Sequence, residues 1–453
     1  MTEDVAIKEL RTSFRGEVLG PEDAGYDSAR RIFNAMIDHR PQVIARPANA
    51  DDVVRCIGFA RARDLAVSVC GGGHSVAGKS VADGGLMIDF SKMKGIQIDP
   101  KARTALAEPG LRLGEFDRAA QAHGLATTLG IVSNTGIAGL TLGGGIGWLN
   151  GTFGLACDNV RSVDVVTADG RVVHASSEEN PDLFWGVRGS GGNLGVVTSF
   201  EYQLHPVGQV LGGLVIHPWS DVREALRFFG EFASDAPDEI SVLGVIVTAP
   251  DGNPAFAIAL GYTGPMEKAE AAVAPLRSFG KPMADMVAPM SYLELQSMLD
   301  QSFQPGFRHY WKSSFLPRVT EDAVEVLVEY GATKPSPMTG IGLQQMHGAA
   351  ARVGPGDTAF PHRRDQFDCI ILSVWSDPAD TAKNVRWARG LFEAMQPYLG
   401  EGVYVNDLGD EGDDRIRAAY GPNYDRLVEL KTKYDPENFF HLNQNIAPAV
   451  AAR

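Results

Sequence analysis

Apolar positions in residues 42–208 come in short runs whose period changes at glycines. Behind Pro47-Ala-Asn-Ala-Asp-Asp52, residues 53–63 carry apolar side chains at helical spacing, which predicts a helix capped by Asp51. Residues 65–70 read as a strand running into Gly71-Gly-Gly-His-Ser75, and 86–90 as another. A helix is predicted over 113–123, ended by Gly124. Residues 160–167 and 171–175, joined through Asp169-Gly170, predict a hairpin, and 196–204 a further strand. After Pro206 the alternation lengthens. Strands at 242–248, 256–262, 311–316 and 369–375, with helices at 222–232 and 267–279, predict an antiparallel sheet carrying helices on one face. The chain then turns acidic and loop-like from Gly402 to Asp414, before a helix over 424–433. The class is α+β, in segments 1–206, 207–400 and 401–453.

Composition narrows the partners. A net charge of -15 over 453 residues repels a phosphate backbone, which argues against nucleic acid as a partner. No apolar run reaches the length of a membrane span, and the polar residues Glu3, Asp4, Lys8 and Glu9 argue against a secretory signal. Cys56, Cys70, Cys157 and Cys369 have neither zinc-site nor disulfide-scaffold spacing. A cytoplasmic monomer or homodimer without a metal site is expected.

Glycine is the informative residue: 51 of them, clustered, suggest backbone pressed against a ligand. Three glycines leaving a strand at Gly71 can aim their N–H groups at one anion, such as a diphosphate, with His74 held beside it. A turn histidine without chemistry explains His74 as well from spacing alone. A second cluster, Gly136 to Gly147, follows the small residues Ser133 to Thr135 and suggests a long ligand held from two sides. Neither cluster has Rossmann or P-loop spacing. Gly73-His-Ser75-Val-Ala77 approaches a nucleophile elbow, which raises a serine hydrolase using Ser75, but the residues after it are poor helix material.

The order of motifs is more specific than any one of them. Arg46-Pro47, the Gly71 to Ser75 loop, Leu142-Gly-Gly-Gly-Ile-Gly147, Phe184-Trp-Gly-Val-Arg-Gly189, Gly195-Val-Val-Thr198, Phe360-Pro-His-Arg363, Tyr434-Asp-Pro-Glu-Asn-Phe439 and Asn443-Gln-Asn445 run through residues 42–446. Together they resemble the berberine bridge enzyme-like flavin oxidases of the vanillyl-alcohol oxidase fold group, and most of all their small bacterial members.

That resemblance implies a two-domain flavoprotein. Segments 1–206 and 401–453 would form the FAD-binding domain, and 207–400 a substrate domain. Cofactor contacts are expected from Cys70, Gly71, Gly72, Gly73, His74, Ser75, Gly78, Val132, Ser133, Thr135, Gly136, Gly139, Gly143, Gly144, Gly145, Gly147, Gly195, Val196, Val197, Asn443 and Asn445. His74 would carry the flavin 8α-methyl carbon covalently. Val132 stands where many relatives have a second linking cysteine, so a single link is expected. Thr135 aligns with a position that leaves the flavin open to dioxygen, which favours an oxidase over a dehydrogenase.

The catalytic base departs from the family pattern. Where sugar-oxidising relatives have Tyr-x-Asn-Tyr, this chain has Tyr404-Val-Asn-Asp407. The glutamate of plant alkaloid members falls on Arg352 or Pro355, neither of which takes a proton. A strand used by an amine-oxidising relative aligns with Gln344, Met346 and Gly348, with His347 on the opposite face. The candidates are therefore Asp407, Tyr404, His347 and Gln344, against a solvated acidic turn for Asp407. His362 and Arg363 read as junction residues. One face of the 311–316 strand, Tyr310 with Lys312 or Trp311 with Ser313, faces either pocket or core.

The leading expectation is hydride transfer from a small aromatic or heterocyclic alcohol, phenol or amine to covalent FAD, with dioxygen as acceptor and hydrogen peroxide as product. A dehydrogenase, a sugar oxidase, a flavin carrier without turnover and the Ser75 hydrolase are the alternatives.

Overall fold

The computed structural model describes residues 3–409 and 411–449. Short strands ending in glycine or turn residues build two small sheets. Val43–Arg46, Leu86–Asp89 and Val67–Cys70 pair in parallel, with Glu17–Leu19 antiparallel at one edge. The helix Ala50–Arg61 buries Val53, Ile57 and Ala60. Its cap is Asn49, whose side chain accepts the Asp52 N–H at 3.1 Å, and not Asp51 as expected. Asp52 is itself engaged, its carboxylate accepting the N–H groups of Arg15, Gly16 and Ala48, so the helix start also anchors the N-terminal strand.

The second sheet is antiparallel, in the order Ile96–Asp99, Thr104–Ala107, Val196–Gln203, Val160–Val166, Val172–Ser176. The Asp169-Gly170 hairpin forms as predicted. The helix Leu113–Gln121 ends before Gly124. Both glycines adopt the left-handed conformation that a side chain resists.

The third sheet is the largest. Val210–Pro218, Pro254–Tyr262, Ile240–Thr248, Gly340–Met346, Gln366–Trp375 and Arg308–Leu316 run antiparallel in that order. Val210–Pro218 escapes the sequence pattern because Gly212 and Gly213 break its alternation, and Gly340–Met346, interrupted by Gly340 and Gly342, was legible only through the resemblance. Helices Val222–Asp235, Met266–Ser278, Glu321–Ala332 and Thr381–Met395 bury one face of this sheet, against Ile258, Ile341, Leu343 and Ile371. The Glu321–Ala332, Thr381–Met395 and N-terminal Glu3–Ser13 helices were not foreseen either. The other face packs in part on Trp148, Tyr292 and Leu295, and the rest of it lines a cavity.

The stretch expected to be loop-like contains a 3-10 turn, Val405–Asp407, and the start of the helix Asp413–Tyr420. Asp410 of the acidic run lies outside the described residues. Val403, Val405, Leu408, Tyr420, Leu427 and Ile446 share a core with Phe116, Phe200 and Tyr202 of the N-terminal part. Lys431, with no exposed side-chain surface, fastens this return. Its Nζ donates to the Asn193 carbonyl at 3.0 Å, the Phe440 carbonyl at 2.9 Å and the Asp435 carboxylate at 2.7 Å. Asp435 in turn accepts the N–H groups of Phe439 and Phe440.

Candidate active site

A cavity of about 800 Å³ lies between the uncovered face of the large sheet and the glycine loops. From the N-terminal side it is lined by Gly71 to Ser75, Val132, Thr135, Gly136, Gly139 and Gly195 to Val197, and from the C-terminal return by Asn443. The two glycine loops meet at Gly72 and Gly136, where a Cβ on Gly72 would stand 2.3 Å from the Gly136 nitrogen. Among the described residues, the N–H groups of Gly72, Gly73, His74 and Ser75 donate to no protein acceptor. Four consecutive free donors after a strand form an anion cradle. Three buried polar atoms on cavity-lining residues also have no partner: Ser80 Oγ, His309 Nε2 and Asn443 Oδ1. An elongated ligand with a diphosphate fits this set, since it would satisfy both the cradle and the orphaned atoms.

His74 is fixed within the cradle. Its ring stacks on Phe33 at 4.5 Å and is hydrogen-bonded to Asn134. Burial, helped by the nearby Arg112, pushes the imidazole down to about 4, so it is neutral at physiological pH. Phe33 also stacks on His309 at 4.3 Å. Burial, with His74 close by, pushes His309 down to about 3, and Trp311 Nε1 donates to its Nδ1 at 3.3 Å.

Across the cavity stand two carboxyl groups in contact. Asp407 is hydrogen-bonded to Asp368, whose Oδ1 accepts the Ser313 hydroxyl at 2.6 Å. Burial and mutual repulsion push Asp407 well above the usual carboxylate range, and burial raises Asp368 as well. Two buried carboxyls in contact resist ionising together. The solvated-turn alternative for Asp407 is therefore corrected: the 3-10 turn aims the side chain inward. Gln344 lines the same corner, directly opposite Asp368 across the sheet.

Tyr404 lines the cavity, but its hydroxyl accepts from the N–H of Gly145 at 2.9 Å, the N–H of Ile146 at 3.3 Å and Asn406 Nδ2 at 2.7 Å. Burial, with Asp407 nearby, holds the phenol above its ordinary value. With its lone pairs committed it is a poor proton acceptor, and it braces the second glycine loop instead. His347 lies off the cavity: its Nε2 would stand 2.5 Å from a Cβ on Gly151. Met346, a strand neighbour of Gln344, is packed with Tyr404 and Phe360 in a separate buried cluster.

Several expected cofactor contacts serve packing. Cys70 is buried behind the cradle, its Sγ 3.6 Å from where a Cβ on Gly73 would be. Gly78 abuts Ile37, Gly143 lies under Asn406, Gly144 under Phe360, Gly145 against Ala156 and Gly147 against the Leu129 carbonyl. Ser133 is held by Asp300, and neither it nor Asn445 lines the cavity. Close approach explains these glycines, and the neighbour approached is protein. No helix follows Ser75, whose Oγ accepts the Lys79 N–H at 3.2 Å, so the nucleophile elbow is absent. His309, Trp311 and Ser313 face the cavity side, whereas Tyr310 accepts from Arg389 on the helix-covered side. Arg363 forms a buried bidentate pair with Asp158 at 2.7 Å, and His362 bonds the Ala419 carbonyl, both holding segments together. Asp368, His309 and Phe33 were not foreseen. Asp368 stands one residue before a predicted strand and His309 two before another, beside runs whose apolar character hides a polar member.

Comparison with known proteins defines the class. The profile of the FAD binding domain matches residues 41–176, and that of "Berberine and berberine like" proteins residues 403–447. The chain belongs to the berberine bridge enzyme-like family of FAD-linked oxidoreductases. It is 32% identical to (R)-6-hydroxynicotine oxidase of Paenarthrobacter nicotinovorans, over 96% of this chain and 97% of that one. An FAD-linked oxidoreductase of Dictyostelium discoideum is also 32% identical, over 98% of this chain and 97% of the relative. Among solved structures, 6-hydroxy-D-nicotine oxidase from Arthrobacter nicotinovorans superposes with a TM-score of 0.89 at 30% identity, covering 96% of this chain and 98% of that one. The two-domain vanillyl-alcohol oxidase-type fold and FAD-dependent oxidoreductase chemistry follow for this protein. The cradle, the orphaned polar atoms and the long cavity fit FAD.

Proposed function

We propose that the protein is an oxidase that takes a hydride from a carbon bearing a hydroxyl group, in an aromatic or heterocyclic alcohol. The observation that carries this reading is the Asp368–Asp407 pair on the cavity wall. FAD, which the Gly72 to Ser75 N–H groups and Asn443 would hold, would supply a hydride acceptor that dioxygen can reoxidise, with hydrogen peroxide as the product. The protein supplies binding, orientation and a proton acceptor. As hydride leaves an alcohol carbon, the hydroxyl proton must go too, or a protonated carbonyl results. The pair takes this proton in its fully ionised form and leaves the step with the proton shared between the two carboxyls. Its raised affinity for protons makes it a stronger base than an ordinary carboxylate. Gln344, beside Asp368, orients the substrate oxygen. Thr135 on the opposite wall supports access for dioxygen.

Segments 1–206 and 401–453 would act as the FAD-binding unit and 207–400 as the substrate unit. The backbone donors of Gly72 to Ser75 hold the diphosphate, and His74 carries the flavin through a single covalent bond, its neutral imidazole having a lone pair to form it. His74→Ala is expected to bind FAD through the glycine loops alone and to give a colourless pellet on acid precipitation, where the unaltered protein gives a yellow one. A yellow pellet from the variant would remove His74 as the link. Peroxide release against a panel of sugars, benzylic alcohols and cyclic amines tests the substrate reading. A response confined to amines or sugars would overturn it.

A further inference from the structure

The cavity face of the large sheet has a sharply uneven relief. The strand Gly340–Met346 presents Gly340, Gly342 and Gln344 to the cavity. Both glycines lie between strands with large branched side chains on that face. On one side register pairs Gly342 with Val245, and Val247 follows on the same face; on the other, Gly342 faces Ile370 and Gly340 faces Leu372. Val245, Val247, Ile370 and Leu372 are only half-buried, although each is flanked by sheet, because one side of each is open to the cavity. The result is a trough with apolar walls, open over Gly340 and narrowed over Gly342, where Ile370 Cγ2 leans to 2.9 Å from where a Cβ would stand.

The trough has two different ends. At the inner end stand Gln344, Asp368 and Asp407. At the outer end Pro337 and Met338 line the cavity and are exposed, Met338 at 38%. From position 344 to 340 a strand rise gives a length of roughly 13 Å, and the turn residues Pro337 and Met338 lie beyond that end. The walls stand two strand spacings, roughly 10 Å, apart. After the thickness of the side chains, that width admits an aromatic ring on edge or a single chain and excludes a bulky, highly substituted group. Between Gln344 and Thr339 the lining side chains are apolar, so the hydroxyls of a second sugar unit would lose water there without partners.

From this geometry we infer that the substrate is elongated, flat and apolar, a linear aromatic body of two or more rings carrying its reacting hydroxyl at one end. The hydroxyl end sits at the carboxyl pair and the body lies along Gly342 and Gly340 toward Met338. The inference rests on the proposed oxidation of a hydroxyl-bearing carbon, and names the body to which that carbon is attached.

Binding and turnover separate the two readings. The FAD-loaded protein is titrated with benzamide and biphenyl-4-carboxamide, which it cannot dehydrogenate, following perturbation of the flavin absorbance. Anaerobic flavin bleaching is measured with benzyl alcohol, 4-biphenylmethanol and cellobiose. The second ring is expected to tighten amide binding and to raise the bleaching efficiency by at least about tenfold, the free energy of burying one ring. In Gly340→Val the long-to-short ratio is expected to fall to about one. A Cβ at Gly340 meets nothing nearer than 3.5 Å, so valine fits the strand while filling the floor, and the flavin spectrum reports that the variant is folded. Equal binding of the two amides, an unchanged ratio in Gly340→Val, or cellobiose as the better reductant would overturn the inference. Selective binding of the biphenyl amide without bleaching by either alcohol would leave the trough standing and sink the hydroxyl oxidation instead.

Discussion

Asp407→Asn is expected to lower the rate of flavin reduction by an alcohol about 10²- to 10⁴-fold, the usual contribution of a positioned base. Asparagine keeps the shape and can still bond Asp368, but the pair can no longer take the hydroxyl proton in the same way. Reduction by a neutral amine, which needs no base, should change little. Stability separates this from a folding defect. Folded Asp407 binds its proton more tightly than the unfolded chain does, so the native state loses stability as pH rises from about 4 through the raised folded value. Asparagine removes that loss, and the variant should melt at or above the parent temperature at pH 8. For the unaltered protein, turnover should rise with pH along a limb lying above the ordinary carboxylate range. Asp368→Asn, by removing the repulsion, should move that limb toward acid. Normal reduction of Asp407→Asn by alcohols would leave the pair a structural feature only.

Lys431→Met is expected to cost about 3–5 kcal/mol of folding free energy, because Asp435 would remain buried without its counter-charge. The loss should extend to the cofactor. Lys431 holds the Asn193 and Phe440 carbonyls, and Asn443 Nδ2 donates to that same Phe440 carbonyl while its side chain lies at the cavity. Denaturant melts should show the stability change, and FAD retention on gel filtration of a His74→Ala background the weakened wall. Adding Asp435→Asn should recover part of the stability. Full stability of Lys431→Met would mean that water replaces the ammonium group.

These expectations rest unequally on what the chain makes legible. Local rules located the Leu113–Gln121 helix and the Asp169-Gly170 hairpin, because the ending or turning residue lies within a few positions of the element in sequence. The Gly71 to Ser75 loop was equally visible, since consecutive glycines have few other uses. Gly143 to Gly147 misled for a related reason: glycine declares that something comes close, and Asn406, Phe360 and Ala156 are brought there only by folding. Asp407 was a candidate base from its place in Tyr404-Val-Asn-Asp407 but read equally as part of a solvated acidic run, while Asp368 was masked by Phe367 and Cys369. Each carboxyl acquires its character from the other, and the two belong to segments that meet only in three dimensions.

Peroxide released from the cavity, as proposed, meets its own protein first. Burial pushes the Cys70, Cys157 and Cys369 thiols up to about 12, and Cys56 higher than its ordinary value as well. Thiols that stay protonated and buried offer peroxide no nucleophile, so the cradle side is chemically quiet. Met338, exposed at the outer end of the trough, has no such shelter. Its conversion to the polar sulfoxide, visible as a mass gain of one oxygen on the peptide that carries it, would wet the end of the trough that grips an apolar body. Ageing of the catalyst by its own product would then blunt its choice of substrate before it loosened its hold on the cofactor.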